Sequence, residues 1–301
     1  MTSTNMPDNR LFSNKVRLAD LGLFYSAAIW GSTFFIVKGA LEAIDPIMLV
    51  AYRFLLAAVI MLPIIIRLKL SPLSDFGSGL ALGLPLWILY IFQTVGLKYT
   101  SAANSGFITG LFVVFVPVFQ IVFRGILPKP LSLTAVFVSL SGLWVLSGGL
   151  KYVNRGDFLT LAAAMAYAAH ILITDRKIDA GINPYVLNFQ QFAIVGGLSF
   201  FGGFLKVGQF AFPYRTAGAA IAFLAIFPTL SAFLVQLLAQ KHVSPIRVSL
   251  IFAFEPVFAG LFAWTLGGES FTFRQASGGL LIFAGMIISG SAGDFKAERN
   301  Q

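Results

Sequence analysis

Three residues of this chain set ionisable chemistry in apolar surroundings: Arg53 in LVAYRFLLAAV, His170 in AYAAHILIT and Glu255 in FAFEPVF. An ionised side chain at the centre of a membrane span costs roughly 2.5–3.5 kcal/mol even on the mildest scale, so such residues mark cavities, partners or proton paths. A guanidinium at Arg53 suits a substrate carboxylate; the alternatives are snorkelling to headgroups or pairing with Glu42 or Asp45. Glu255 is followed by Pro256, which has no N–H to donate and frees the carbonyl of Phe252. A carboxyl there can bind and release a proton, because a dry surround disfavours its charged form and entering water restores it. The alternative is a Glu that stays protonated and packs. His170, alone in a helix of small residues, reads first as a packing hydrogen-bond donor and second as a proton relay.

Further polar groups fall at depth: Gln93, Asn104, Gln191 and Gln236. Trp30, Trp87, Tyr90 and Tyr167 lie inward of the apolar runs' ends, where a cavity wall could use them, whereas Trp144 and Trp264 sit nearer the ends and suit interface anchors. Four prolines are expected to interrupt helices in matched pairs, Pro85 with Pro228 and Pro117 with Pro256, and paired breaks point to a transporter's site and its moving parts. Ala102, Gly106 and Gly110 form a small-residue face for close helix packing. With no Cys and two His, no thiol nucleophile and no metal-ligand cluster is available. No cofactor, no metal and no enzymatic chemistry are expected.

The elements that must position these residues are legible from composition. Hydrophobic residues make up 57% and charged residues 11%, against roughly 45–50% and about 25% in soluble domains. The chain therefore reads as an all-α integral membrane protein. Ten apolar runs approach the length of a span, about 20 residues: 20–41, 46–66, 76–96, 102–123, 131–149, 157–174, 185–205, 216–238, 247–266 and 273–291. They divide into two sets of five that repeat each other. Asp20 answers Asp157, Asp45-Pro46 answers Asn183-Pro184, Phe54 answers Phe192, Arg53 answers Gln191, and Gln93 answers Gln236. An odd number of crossings per set inverts one half against the other, with a substrate site expected at their interface.

Charge distribution gives an orientation. With the N-terminus in the cytoplasm, thirteen Lys and Arg fall inside and seven outside, Arg53 alone lying within a span; that excess favours cytoplasmic termini. The first apolar run is of spanning length with no clear cleavage site after it, which suggests an uncleaved signal-anchor. The net charge of +9 is scattered over short loops and builds no nucleic-acid surface.

Several strings resemble the EamA branch of the drug/metabolite transporter superfamily: AAIWGSTFFIVKGAL, DPIMLVAYRFLLAAVIMLP, TSAANSGFITGLF, SLIFAFEPVFAGLFAWTLGGE and GGLLIFAGMIIS. The likeness covers about residues 20–291. It implies ten transmembrane helices as two inverted-topology repeats of five and export of small organic compounds across a bacterial inner membrane. By matching position, Trp30, Arg53, Glu255, Pro256 and Glu269 are its motif residues; the first repeat has ILPKP at 126–130 where the second has an acid. The expected organisation is a cytoplasmic tail 1–19, repeats at 20–150 and 151–291, and a cytoplasmic tail 292–301. The expected partners are the lipid bilayer, a small-molecule substrate and, for the coupling role of Glu255, protons, in a monomer or homodimer. An amino acid or related amphipathic compound is the first substrate class. An uptake or facilitated-diffusion carrier for a nucleobase, vitamin or carboxylate is the alternative, and a non-transporting structural or receptor subunit is the alternative from another class.

Overall fold

Caps open the long helices where the repeat places them. In this computed structural model, which describes residues 9–100, 102–147, 154–208, 217–265 and 272–291, the Asp45 carboxylate accepts the N–H of Ile47 and the Asn183 amide oxygen accepts that of Tyr185, both at 2.9 Å. Each is followed by a proline, whose missing N–H costs nothing in a first turn. These caps open α3 (Pro46–Arg67) and α9 (Pro184–Val207). Asn154 and Asp157 form a reciprocal capping box at the start of α8 (Arg155–Asp179).

The other helices are α1 (Asn9–Gly31), α2 (Thr33–Ala40), α4 (Phe76–Gly96), α5 (Ala102–Gly110), α6 (Phe112–Arg124), α7 (Pro130–Ser147), α10 (Gly218–Leu224), α11 (Ala232–Ala239), α12 (Pro245–Phe252), α13 (Glu255–Thr265) and α14 (Phe273–Ser291). A π-helical turn, Ala225–Ser231, joins α10 to α11. All regular structure among the described residues is helical. Among the described residues, six helical stretches are long and apolar enough to cross a membrane: Asn14–Ala40, Pro46–Arg67, Phe76–Gly96, Arg155–Asp179, Gly218–Ala239 and Pro245–Phe262. The fold is that of an all-α, multi-pass membrane protein.

Within the segment read as a tail, 1–19, the chain is helical from Asn9, with Val16 and Ala19 buried. One expectation needs correction. The four prolines do not all interrupt helices. Pro228 sits in the π turn, and Pro256 follows the break at Ala253 and Phe254, but Pro85 and Pro117 lie inside the continuous helices α4 and α6. A proline removes one backbone bond, and a helix can absorb that loss without ending. The break in this part of the first half falls instead at Leu111, and a further one at Ser32.

Helices of the first half pack on helices of the second: α3 on α9, α4 on α8 and α9, α7 on α14, and α1 on α11. The repeat-related rings of Phe54 and Phe192 are both fully buried and lie 5.9 Å apart, edge to face. At Gly142 of α7 an added Cβ would stand 2.6 Å from the Gly278 carbonyl of α14, so only glycine admits this approach.

Candidate functional site

The broken helices meet at the centre of the bundle. Gly31, the last residue of α1, packs so closely on α13 that a Cβ there would lie 2.7 Å from the backbone oxygen of Glu255. Glu255 opens α13, where the unsatisfied N–H groups of a helix start favour a carboxylate. Its side chain is buried and lines a cavity with Trp30, Thr33, Leu89, Tyr90, Gln93, Tyr167 and Phe233. Both halves contribute to this wall. About 20 Å³ is open to a water-sized occupant, room for about one water molecule. As it stands the cavity admits nothing much larger than water.

Aromatic rings set the cavity's shape. The Trp30 ring lies 5.1 Å from Phe233, 4.8 Å from Phe252 and 6.1 Å from Tyr167. Tyr90 packs edge-on against Phe54 at 4.7 Å and against Phe233 at 6.1 Å. Such pairs contribute roughly 0.5–1.5 kcal/mol beyond their buried area, so the wall is held in place without substrate.

The π turn is anchored from two sides. Trp30 donates its indole N–H to the Pro228 carbonyl at 2.7 Å, and Arg53 donates Nε to the Thr229 hydroxyl at 3.0 Å. Thr229 in turn donates to the Leu224 carbonyl. Snorkelling is excluded for Arg53, which is 3% exposed. Nor does it pair with Asp45, which is held by Lys206 at 2.7 Å. Its guanidinium carbon lies 4.7 Å from the centre of the Tyr90 ring, and its Nη2 is buried with no hydrogen-bond partner. Arg53 does not line the cavity; it touches the lining at Tyr90.

His170, Gln191 and Asn188 form a separate buried chain, with His170 Nε2 2.8 Å from Gln191 Oε1 and Gln191 Nε2 donating to Asn188 Oδ1 at 2.6 Å. His170 Nδ1 is buried without a hydrogen-bond partner. Gln93 lines the cavity and donates to the Thr109 hydroxyl, whereas its repeat mate Gln236 donates to Gln240 away from it. Trp87 packs beside the core and is not in the lining. The side chains of Asn104 and Trp264, and residues Ser101 and Glu269, lie outside the described residues.

Of the candidates named from sequence, the cavity thus gathers Trp30, Tyr90, Gln93, Tyr167 and Glu255. Thr33, Leu89 and Phe233 were not anticipated. Thr33 lies one residue past the Ser32 break, which no proline marks. Among the described residues no group of His, Asp and Glu is placed to hold a metal ion.

Polar clasps tie the halves together at the helix ends. Arg247 meets Asp20 with two hydrogen bonds, of 2.9 and 2.7 Å. Arg124 meets Asp175 at 2.8 Å and also donates to the Leu172 carbonyl. Thr100 donates to Asp157 at 2.6 Å. At the Asp45–Lys206 clasp, burial works against the carboxylate, but the Lys206 ammonium and the Ile47 and Met48 N–H groups outweigh it and hold the pKa below its ordinary value.

Residues 17–148 and 154–291 each match the EamA-like transporter family. An uncharacterized transporter of Archaeoglobus fulgidus is 33% identical over 271 residues, spanning 90% of this chain and 85% of its own length. The uncharacterized inner membrane transporter YedA of Escherichia coli K12 is 24% identical over 276 residues, spanning 89% of each chain. A crystal structure of a protein with 20% sequence identity superposes with a TM-score of 0.74, covering 90% of this chain and 96% of that one; at that identity the likeness speaks to fold alone.

Proposed function

The chain belongs to the EamA-like transporter family, and from that premise we propose a secondary transporter that exports a small amphipathic organic metabolite by alternating access, coupled to protons at Glu255. The observation that carries this reading is one buried carboxylate at a helix break, in an aromatic cavity walled by both halves. Such a cavity, closed around about one water, is what the occluded stage of a carrier requires. Ten crossings in two inverted sets of five accommodate the clasps. With one crossing per helical rod, Asp20, Arg247, Arg124 and Asp175 fall on one face, and Asp45, Lys206, Thr100 and Asp157 on the other. The packing of α3 on α9 and α7 on α14, each near its own repeat mate, fits the same pseudo-symmetry. Cytoplasmic termini follow from the charge count, and the outward direction from the family resemblance. An aromatic or apolar amino acid or a related compound suits the cavity's rings. The unpartnered Nη2 of Arg53 offers a carboxylate contact once the helices part.

Coupling at Glu255 needs only that the cavity alternate between dry and wet, since low dielectric disfavours the charged carboxyl and water restores it. Glu255→Gln keeps the neutral form in both states. In proteoliposomes this variant is expected to retain substrate counterflow and lose transport driven by a pH gradient. Gradient-driven transport at the wild-type rate would remove Glu255 from the coupling. Metabolite profiling of cells with and without the gene identifies the cargo and its direction.

A further inference from the structure

The seam between α1 and α11 carries a second feature, outside the central cavity. Trp30 bonds to Pro228, Ser26 donates to the carbonyl of Ala232, and Gly22 lies against Val235, where an added Cβ would come within 2.7 Å of its Cγ1. Numbers rise on one helix as they fall on the other, so the two run antiparallel in a steady register that brings Lys15 level with His242. Along this line Lys15, Leu18 and Gly22 face Val235, Leu238 and His242 across a groove of about 290 Å³. Lys15, Leu18 and Gly22 share one stripe of α1, and Val235 and Leu238 one of α11, with His242 in the turn that follows α11. The groove is amphipathic along its length. Its outer end carries an ammonium and an imidazole, and its inner end, toward the middle of the bundle, is wholly apolar. The acid on this part of α1, Asp20, is taken up by Arg247 and does not neutralise Lys15.

We propose that this groove is a binding site for an anionic phospholipid, with the phosphate at Lys15 and His242 and one acyl chain lying between Leu18 and Leu238. The charge at the mouth chooses an anionic head, and basic pockets between helices at a membrane surface bind such heads. The apolar length below it suits an acyl chain and gives a free phosphate nothing to bind. Because α1 carries Trp30 and α11 carries Phe233, the lipid bears on two walls of the cavity without entering it.

Native mass spectrometry of the purified, delipidated protein, titrated with phosphatidylglycerol or phosphatidylcholine, tests this. Phosphatidylglycerol is expected to bind at least about tenfold more tightly, a difference of one decade in Kd. The Lys15→Gln/His242→Gln variant is expected to fall to the phosphatidylcholine level, and Lys15→Arg to keep the preference. Equal binding of the two lipids by the wild type, or a preference that survives in the double variant, would overturn the proposal. Displacement of phosphatidylglycerol by glycerol phosphate would reduce the site to a phosphate contact and overturn the acyl-chain assignment. A dimer that forms on delipidation and disperses equally with either lipid would make the groove a contact between copies of the chain, also against the proposal. Should the double variant unfold, the exposed Lys15→Gln change alone carries the same comparison.

Discussion

Arg53 is a cation buried among apolar side chains, with no carboxylate within ion-pair distance among the described residues. Its charge is met by the Tyr90 and Phe54 rings and by the hydroxyl of Thr229, with the Tyr90 hydroxyl also within its reach. Aromatic faces attract a cation through their quadrupole, but only modestly, so the Nε–Thr229 bond is the specific contact. Thr229→Val keeps the volume and the branch at Cβ and removes the acceptor. A hydrogen bond to a charged group contributes roughly 1.5–3 kcal/mol, and the variant is expected to lose about that much stability in a detergent unfolding titration. Thr229→Ser, which restores the hydroxyl, is expected to recover most of it. Equal stability of Thr229→Val and wild type would mean that the rings alone hold Arg53. None of this was legible from the sequence. The local string identified Arg53 as a deep cation, but its acceptor lies 176 residues away, and nothing near either residue links the two.

At the scale of helices, the interruptions at Pro228 and Pro256 were legible and the breaks at Ser32 and Leu111 were not. Asp45-Pro46 and Asn183-Pro184 announce helix starts because their chemistry is local: a side-chain acceptor, then a residue without an N–H. The breaks at Ser32 and Leu111 carry no such mark, and their cause is tertiary. At Ser32 the chain turns where Gly31 presses on the start of α13. That contact yields a prediction with its own control. Gly31→Ala places a Cβ 2.7 Å from the Glu255 oxygen and the Phe258 Cβ, so α1 and α13 must separate and carry Glu255 and Trp30 apart. Lower transport and a lower unfolding temperature are expected together. Gly39→Ala, where a Cβ meets nothing within 4 Å, is expected to change neither, apart from a small gain in helix propensity. If the two alanines behave alike, close approach at Gly31 is not what holds the site. The proline pairs teach the reverse lesson. Pro85 looks like a break in sequence, yet α4 runs through it, where it packs on α8 and α9.

For the whole molecule, the two halves that match the family were legible in the sequence as a repeat, but not how firmly ion pairs hold them together. The Asp20–Arg247 and Arg124–Asp175 pairs are largely or fully shielded from solvent, whereas Lys206 of the opposite clasp is 54% exposed at its side chain. Breaking a buried ion pair by removing one partner costs roughly 3–5 kcal/mol, while an exposed pair contributes about 0–1 kcal/mol. These two pairs are thus held more strongly than Asp45–Lys206, and the proposed topology puts both on one face. Each joins a helix of the first half to a helix of the second, so the proposed alternating access releases both when that face opens. The chain has no native Cys, so paired cysteines report on this without background. Asp20→Cys with Arg247→Cys, bridged by a short cleavable bis-thiol reagent, fixes α1 to α12 across the halves. The bridged protein is expected to stop transporting in proteoliposomes and to resume when the linker is cleaved. The unbridged double variant, lacking the latch, transports at a rate set by its altered balance between faces. Transport at an undiminished rate through the intact bridge would mean that this face never opens between α1 and α12, and that the path lies elsewhere in the bundle.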